Sequence, residues 1–369
     1  MLNQLTTIHP MDTLKVNPKN NKILFFSDLH LGVHQNSSMW HETCLSVADF
    51  IKDTMVSQEL DTIIFAGDTF HDRHEIGVNT LHIAKRFFDK LSDFYIHIIP
   101  GNHDAFLSTS AEVNSVEILA NQNIFVHSKL TIINAGKRKI LFCPWKAHVN
   151  EMLDQPPTQL VDVIVGHFEI INFKMNANKI CDNGDTAADL LKNSNCVITG
   201  HFHCRDHRKY EDKFVLYLGS PYEMDFSDRE QPKGVSVLDL TDLSVNFFQN
   251  NITPKHFRLS ITDLIQKKYK NLPEIVKGNI ISIYVDVETD ALTVDLLITK
   301  LSQYEPFQLR TEFNILDKAQ PQVKEIEKLS LDVETAFSEF IDRIETRATK
   351  QEVLTKCIEL FRTSQVLNE

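Results

Sequence analysis

Residues 23–30 read Ile-Leu-Phe-Phe-Ser-Asp-Leu-His, four apolar side chains in a row followed by a serine and the pair Asp28 and His30. So short an apolar run, breaking into polar residues, reads as a strand buried on both faces that feeds a loop. The pattern recurs twice: Ile63-Ile64-Phe65 runs into Gly67-Asp68, and Ile96-His97-Ile98-Ile99 runs into Pro100-Gly101-Asn102-His103. Helix-like stretches at 41–58 and 78–92 separate the three, so the first hundred residues alternate strand and helix. The alternation predicts a parallel α/β beginning, with ligand chemistry beyond the carboxyl ends of the strands, where all three polar clusters fall.

Further strands are expected at 139–143, 162–166, 196–199, 214–218 and 234–240, with fewer helices between them, which fits a second sheet packed on the first. The pattern changes near Thr253-Pro254: strands at 280–287 and 307–314 and a helix near 292–303 make a small α/β appendage. After Pro321 two amphipathic segments, 322–346 and 350–367, carry Leu331, Phe337, Phe340, Ile341 and Ile344 on one stripe of the first. The expected organisation is therefore a large domain over 1–255, a small one over 256–319 and a helical pair over 320–369.

Composition is that of an ordinary globular chain, 42% hydrophobic and 24% charged, which excludes collagen-like and disordered classes. No apolar run approaches the roughly 20 residues of a membrane span, and the start lacks the basic and apolar regions of a signal peptide, so the cytoplasm is the expected location. Six cysteines without a C-x-x-C pair argue against a zinc ribbon or a disulfide framework, and Cys143 and Cys196 sit in strand-like runs as packing residues. A formal net charge of −12 repels a polyanion, so any nucleic-acid contact has to come from local positive charge, from metal or from a partner.

Five polar clusters follow strands in order: Asp28-Leu29-His30, Gly67-Asp68-Thr69-Phe70-His71, Gly101-Asn102-His103-Asp104, Gly166-His167 and Gly200-His201-Phe202-His203. Any one is weak, since Asp-x-His is common and Gly-Asn-His-Asp is also an ordinary turn. Their ordered repetition at strand ends argues for convergence on one site. On extended segments Asp28 with His30, and His201 with His203, share a face, and the preceding glycines let the chain turn sharply. The donors are Asp28, His30, Asp68, Asn102, His167, His201 and His203, more than one ion needs. Two divalent ions bridged by Asp68 use them all, and mixed imidazole, carboxylate and amide donors favour Mn²⁺, Fe²⁺ or Zn²⁺ over Ca²⁺ or Mg²⁺, with Mn²⁺ the expected ion.

This ordered set resembles the calcineurin-like metallophosphoesterases, and Gly67-Asp68-Thr69-Phe70-His71 is similar to the form found in SbcD-type DNA-repair exonucleases, including the T-even phage type. The likeness continues through Phe142-Cys143-Pro144-Trp145, Gly166-His167-Phe168-Glu169, Leu218-Gly219-Ser220-Pro221-Tyr222 and Lys233-Gly234. It implies a four-layer α/β/β/α sandwich with a capping domain that helps select DNA, and C-terminal helices that dock an SbcC-type SMC-like ATPase. It further implies a homodimer within a heterotetramer, acting as exonuclease and endonuclease on double-stranded ends and single strands, in the host cytoplasm if phage-encoded. The resemblance gives His103 the phosphate or the leaving oxygen, and His71 a second role nearby. Asp104 either orients His103 or caps a helix over 105–120. Arg205, Arg208 and Lys209, just past the last metal cluster, are the expected DNA contacts, with Lys137-Arg138-Lys139 in a hairpin as a second basic group.

Phosphodiester hydrolysis needs acceleration on the order of 10¹⁷-fold, about 23 kcal/mol. One general acid supplies about 10²–10⁴-fold, so positioning and metal chemistry have to carry most of the rest. The same ligands suit a phosphomonoesterase, a cyclic-nucleotide phosphodiesterase or a protein phosphatase, whose substrate choice lies in the surrounding loops. A non-catalytic adaptor would lack ligands, and none is missing.

Overall fold

Ile23 and Phe25 face one way from their strand and Leu24 and Phe26 the other, and this alternation sets the order of layers. The computed structural model describes residues 13–17, 19–147, 161–176, 179–285, 289–313, 341, 349–351 and 353–358. The strands are β1 (Lys22–Phe26), β2 (Thr62–Phe65), β3 (Tyr95–Ile98), β4 (Ala105–Leu107), β5 (Ser110–Asn114), β6 (Ile124–Val126), β7 (Thr131–Ala135), β8 (Arg138–Cys143) and β9 (Val163–His167), then β10 (Cys196–Gly200), β11 (Asp206–Tyr210), β12 (Lys213–Tyr217), β13 (Gly234–Asp239), β14 (Val245–Gln249), β15 (His256–Ser260), β16 (Ile280–Val285) and β17 (Gln308–Phe313). The helices are α1 (Ser38–Ser57), α2 (Val78–Lys90), α3 (Ala187–Leu191), α4 (Ile261–Ile265), α5 (Leu272–Val276) and α6 (Ala291–Ser302).

One sheet runs β14-β13-β1-β2-β3-β6 and a second β11-β12-β10-β9-β8-β7. In the first, β1, β2, β3 and β6 are parallel, and β13 adds antiparallel to β1. In the second, β8, β9, β10 and β12 are parallel, with antiparallel strands at both edges. Strands buried on both faces read as unbroken apolar runs, as Ile23–Phe26 of β1 and Ile63–Phe65 of β2 do. Between the sheets, Ile23, Phe25 and Ile64 meet Ile140, Phe142, Val165 and Ile198. On the outer face of the first sheet, Leu24, Phe26 and Phe65 pack under Ala48, Ile51 and Met55 of α1 and Ile83, Phe87 and Phe88 of α2, with Phe26 and Phe65 stacked at 4.3 Å. Beyond the second sheet, Val197, Val215 and Tyr217 pack with Leu190 and Leu191 of α3. These are the four layers expected.

A third, parallel sheet, β15-β16-β17, holds its own core of Leu259, Ile281, Ile283 and Leu301. Trp40 of α1 joins it to the sandwich, with ring centroids 6.1 Å from both His256 and Phe307. Residues Met1–Asn314 make one compact unit and Ile315–Glu369 another. Of the expected C-terminal stripe only Ile341 is described, and it is buried; Leu331, Phe337, Phe340 and Ile344 lie outside the described residues. Among the described residues no helix is long and apolar enough to cross a membrane.

The helix expected over 105–120 is replaced by the β4–β5 hairpin and a 3-10 turn at Ser115–Leu119. Ser108, Thr109 and Ser110 break any helical pattern there, because short hydroxyl side chains compete for backbone hydrogen bonds. Asn114 caps the turn by accepting from the Glu117 amide.

His97 of β3 is buried between the sheets, against Phe125, Phe142 and His127, whose Nε2 lies 2.9 Å from its Nδ1. Burial pushes the His97 imidazole down to about 3. Below about pH 6.5 the unfolded chain takes up a proton that the folded chain refuses, so stability falls as the pH drops from 6.5 towards 3. His97→Phe, measured by urea unfolding, should remove about 2 kcal/mol of the stability lost between pH 7 and pH 5. An unchanged pH slope would refute this.

Candidate metal centre

Each donor stands where a parallel strand ends: Asp28 past β1, Asp68 past β2, Asn102 past β3, His167 as the last residue of β9, and His201 and His203 past β10. The sequence places them; the backbone aims them in an unexpected way. Asp28, His30, Asp68 and His201 all have left-handed φ, of 57°, 47°, 59° and 90°. Asp28 and His30 are thus brought together by tight left-handed turns and not by an extended segment sharing a face, and His201 and His203, expected to act as a pair, go to different donor groups. Such conformations cost on the order of 1 kcal/mol or more each in non-glycine residues, and they cluster at functional sites held by surrounding structure. Here ladder-like hydrogen bonds do the holding: the amides of Asp28, Leu29 and His30 donate to the carbonyls of Gly67 and Asp68 at 2.9–3.1 Å.

The glycines also act differently from expectation. Only Gly67 among those preceding the donors uses a positive φ, of 93°. At Gly101 a Cβ would land on the Asp68 carboxylate, and at Gly166 on the ring of Phe168, so these positions are glycine for closeness of approach.

The seven expected donors fall into two groups, and His30 also converges with His71 and His103. In the first, Asp28, His30 and His203 converge, with His30 Nε2 3.1 Å from His203 Nε2. In the second, Asp68, His167 and His201 converge with Asn102, whose Oδ1 lies 3.0 Å from His167 Nε2 and 2.8 Å from His201 Nδ1. Asp68 Oδ2 stands between them, 3.5 Å from His30 Nε2 and 3.3 Å from His167 Nε2. Donor atoms each about 2.1 Å from one ion are about 3.0–3.4 Å apart in octahedral or tetrahedral arrangements, so these spacings fit two cations sharing Asp68.

The electrostatics agree. Burial opposes ionisation of Asp68, yet His167 and His30 hold its carboxyl well below the usual range. Burial likewise opposes the charged form of His167, but Asp68 and Asp28 outweigh it and carry His167 up to about 9. At His30 burial wins and keeps the imidazole pKa well below its ordinary value. The two interior carboxylates therefore concentrate negative charge that calls for a cation.

His103 and His71 stand at the solvent side. The His103 amide donates to Asp68 Oδ1 at 2.8 Å, and its ring lies 4.8 Å from that of His30. Its Nδ1 meets the His71 carbonyl at 2.5 Å, and the two rings stack at 5.8 Å. Asp104 neither touches this imidazole nor starts a helix. Buried, it accepts from the amides of Gly101, Thr69 and Phe70 at 3.0–3.1 Å and so ties the loop after β2 to the loop after β3. Burial and the neighbouring Asp68 raise its carboxyl to about 6.

The basic residues are placed less freely than expected. Arg208 forms an ion pair with Asp206 at 2.6 Å and lies over the Phe173 ring. Arg205 packs over Phe247 with Nη2 3.4 Å from Ser236 Oγ. Lys209 is exposed on β11. In the β7–β8 hairpin Arg138 pairs with Asp162 at 2.8 Å. Two residues that entered the sequence analysis only as part of the family likeness, with no role, contribute here. Lys233, paired with Asp228 at 2.6 Å in the interior, also donates to the His203 carbonyl at 2.8 Å and braces that candidate donor. Glu169 approaches His201 from outside the centre, 3.8 Å from its Nε2. A lone Lys or Glu near a motif gives no signal of this kind in sequence.

A match to the calcineurin-like phosphoesterase family covers residues 21–205, half of the chain and every one of the donors. The chain belongs to that family. As a calcineurin-like phosphoesterase it is a hydrolase of phosphoesters with a dinuclear metal site, which the two donor groups fit. It is 29% identical over 238 residues to Exonuclease subunit 1 of Enterobacteria phage T4, covering 63% of this chain and 68% of that protein. It is 21% identical over 338 residues to the SbcD component of the SbcCD nuclease of Staphylococcus saprophyticus, covering 80% of each.

Asp104→Ala leaves three interior amides unpaired, each worth about 1–3 kcal/mol. We expect a loss of at least about 3 kcal/mol in chemical denaturation together with weakened binding of both ions; a variant as stable as the parent would show that the loops need no such tie.

Proposed function

We propose that this phosphoesterase is a Mn²⁺-dependent DNA exonuclease and endonuclease, the nuclease subunit of an SbcCD-like complex in DNA end processing. The observation that carries the reading is the pair His103 and His71, held at the open side of the donor cluster where a phosphodiester would lie. The names of the two relatives, both nuclease subunits, favour DNA over a phosphomonoester or a cyclic nucleotide. Gly67-Asp68-Thr69-Phe70-His71 points the same way, since it is the cluster that supplies His71.

Asp28, His30, Asp68 and His203 would hold one ion, and Asp68, Asn102, His167 and His201 the other. When bound, two such ions supply Lewis acidity at the phosphate oxygens and ready deprotonation of water near neutral pH. The chain's own groups do the rest. The His71 carbonyl accepts from His103 Nδ1, which fixes the tautomer and leaves Nε2 as the atom that exchanges a proton with the leaving oxygen. The Asp68 carboxylate fixes the backbone of the same residue, so metal site and proton donor move as one body.

Lys209, with Arg205 and Arg208 beside it, would meet DNA phosphates. So few contacts, on a chain of net charge −12, imply weak binding alone. That supports a DNA-holding SMC-like ATPase partner for residues 320–369, and a homodimer within a heterotetramer in the cytoplasm.

The test is hydrolysis of labelled linear duplex and single-stranded DNA with Mn²⁺, beside a simple phosphomonoester. The parent should cut DNA, and His103→Gln should lower the rate about 10²–10⁴-fold while still binding two ions. Asn102→Ala should lose the second ion and activity together. Turnover of the monoester alone would sink the nuclease reading.

A further inference from the structure

A histidine that ligates through one ring nitrogen commonly has its other ring N–H held by an acceptor, which fixes tautomer and ring plane. In the second donor group His167 turns Nε2 inward and sets Nδ1 2.8 Å from the Ala66 carbonyl. His201 is reversed, with Nδ1 inward on Asn102 and Nε2 facing out. The group on that outward side is Glu169, whose Oε1 lies 3.8 Å from Nε2, an ion-pair approach that a small side-chain rotation closes to a hydrogen bond.

Glu169 is held unlike an ordinary surface carboxylate. The Tyr217 hydroxyl donates to the Phe168 carbonyl at 2.8 Å and accepts from the Ile170 amide at 3.0 Å, gripping the backbone on both sides of it. The Asp185 amide donates to the Glu169 carbonyl at 2.8 Å, and Gly184 has no Cβ because one would strike that same carbonyl. Lys146 takes the other carboxylate oxygen at 2.8 Å and lies 4.3 Å from the centre of the Trp145 ring. Trp145 in turn packs 5.2 Å from the His201 ring, and its amide donates to the Pro100 carbonyl at the start of the Asn102 loop. The two oxygens of Glu169 are thus aimed at two different partners by a fixed backbone.

We propose that Glu169 is the positioning residue of the second cation site, accepting the Nε2–H of His201 and so holding Nδ1 inward beside Asn102. It touches neither the substrate nor the cation. Its effect is on how well one of the two ions is held, and the claim rests on the dinuclear centre and not on DNA being the substrate.

The experiment is a calorimetric titration of the full-length protein with Mn²⁺ and no DNA, which keeps it separate from the nuclease reading. Glu169→Ala should weaken one of the two binding steps about 10–100-fold and leave the other within about twofold. Glu169→Gln, which keeps an acceptor oxygen, should recover part of that loss. The melting temperature of the metal-free protein should be unchanged in both. Lys146→Met controls for the surface ion pair and should not weaken either step. The proposal is overturned if Glu169→Ala binds both ions as the parent does, if it weakens both equally, if it abolishes one step outright as loss of a direct ligand would, or if Lys146→Met has the same effect.

Discussion

Asp68 is a full negative charge placed where two sheets and two loops meet, and it stays charged only because of what surrounds it. One oxygen accepts from the His103 amide; the other lies between His30 and His167, within reach of both donor groups. Gly101 must lack a side chain for the carboxylate to fit, and Gly67 must turn left-handed to deliver it. An isolated carboxylate in such a position would be too costly to keep ionised, so the imidazoles are conditions of the fold as well as of the chemistry.

Around that carboxylate the loops are fixed to one another. Asp104 links the segments after β2 and β3, while the amide of His201 donates to Asp28 at 3.1 Å and so links the segments after β10 and β1. Lys233 fastens the His203 carbonyl to the interior Asp228. These links bring together residues far apart in the chain, and they allow four donors to keep left-handed backbones that would relax in a free peptide.

The third sheet is attached through aromatic contact and through the buried Glu223, whose carboxylate accepts from the His256 amide at 2.6 Å. Trp40 meets His34 at 4.4 Å, and also His256 and Phe307. His34 belongs to a short left-handed turn just past His30, with Nε2 2.8 Å from the Met224 carbonyl. Trp40 therefore lies between the appendage and the turn that follows Asp28 and His30.

Apolar runs and the strand-end positions of Asp28, Asp68, Asn102, His167 and His201 were legible in the chain, because burial on both faces and the ends of parallel strands leave local marks. A second sheet packed on the first followed from the same runs, whereas the four-layer order came from the resemblance to the metallophosphoesterases. Geometry at the donors was not legible: an Asp-x-His pair looks alike whether the backbone is extended or left-handed, and only pairing with the Gly67–Asp68 segment selects the latter. Asp104 looked like either a helix cap or a partner of the His103 ring because a cap, an imidazole partner and a loop tie use the same carboxylate, and the difference lies in which distant amides come near. Arg208 and Arg205 looked free because packing brings Phe173 and Phe247 alongside, while Asp206, two residues before Arg208 on the same strand, is a local partner that the charge pattern did not single out. Hydrophobic periodicity is a local property, and it sufficed to say which chemical groups stand at the ends of which strands. Where those groups point and what holds them depends on hydrogen bonds between segments far apart in the chain, so it became visible only in the folded molecule.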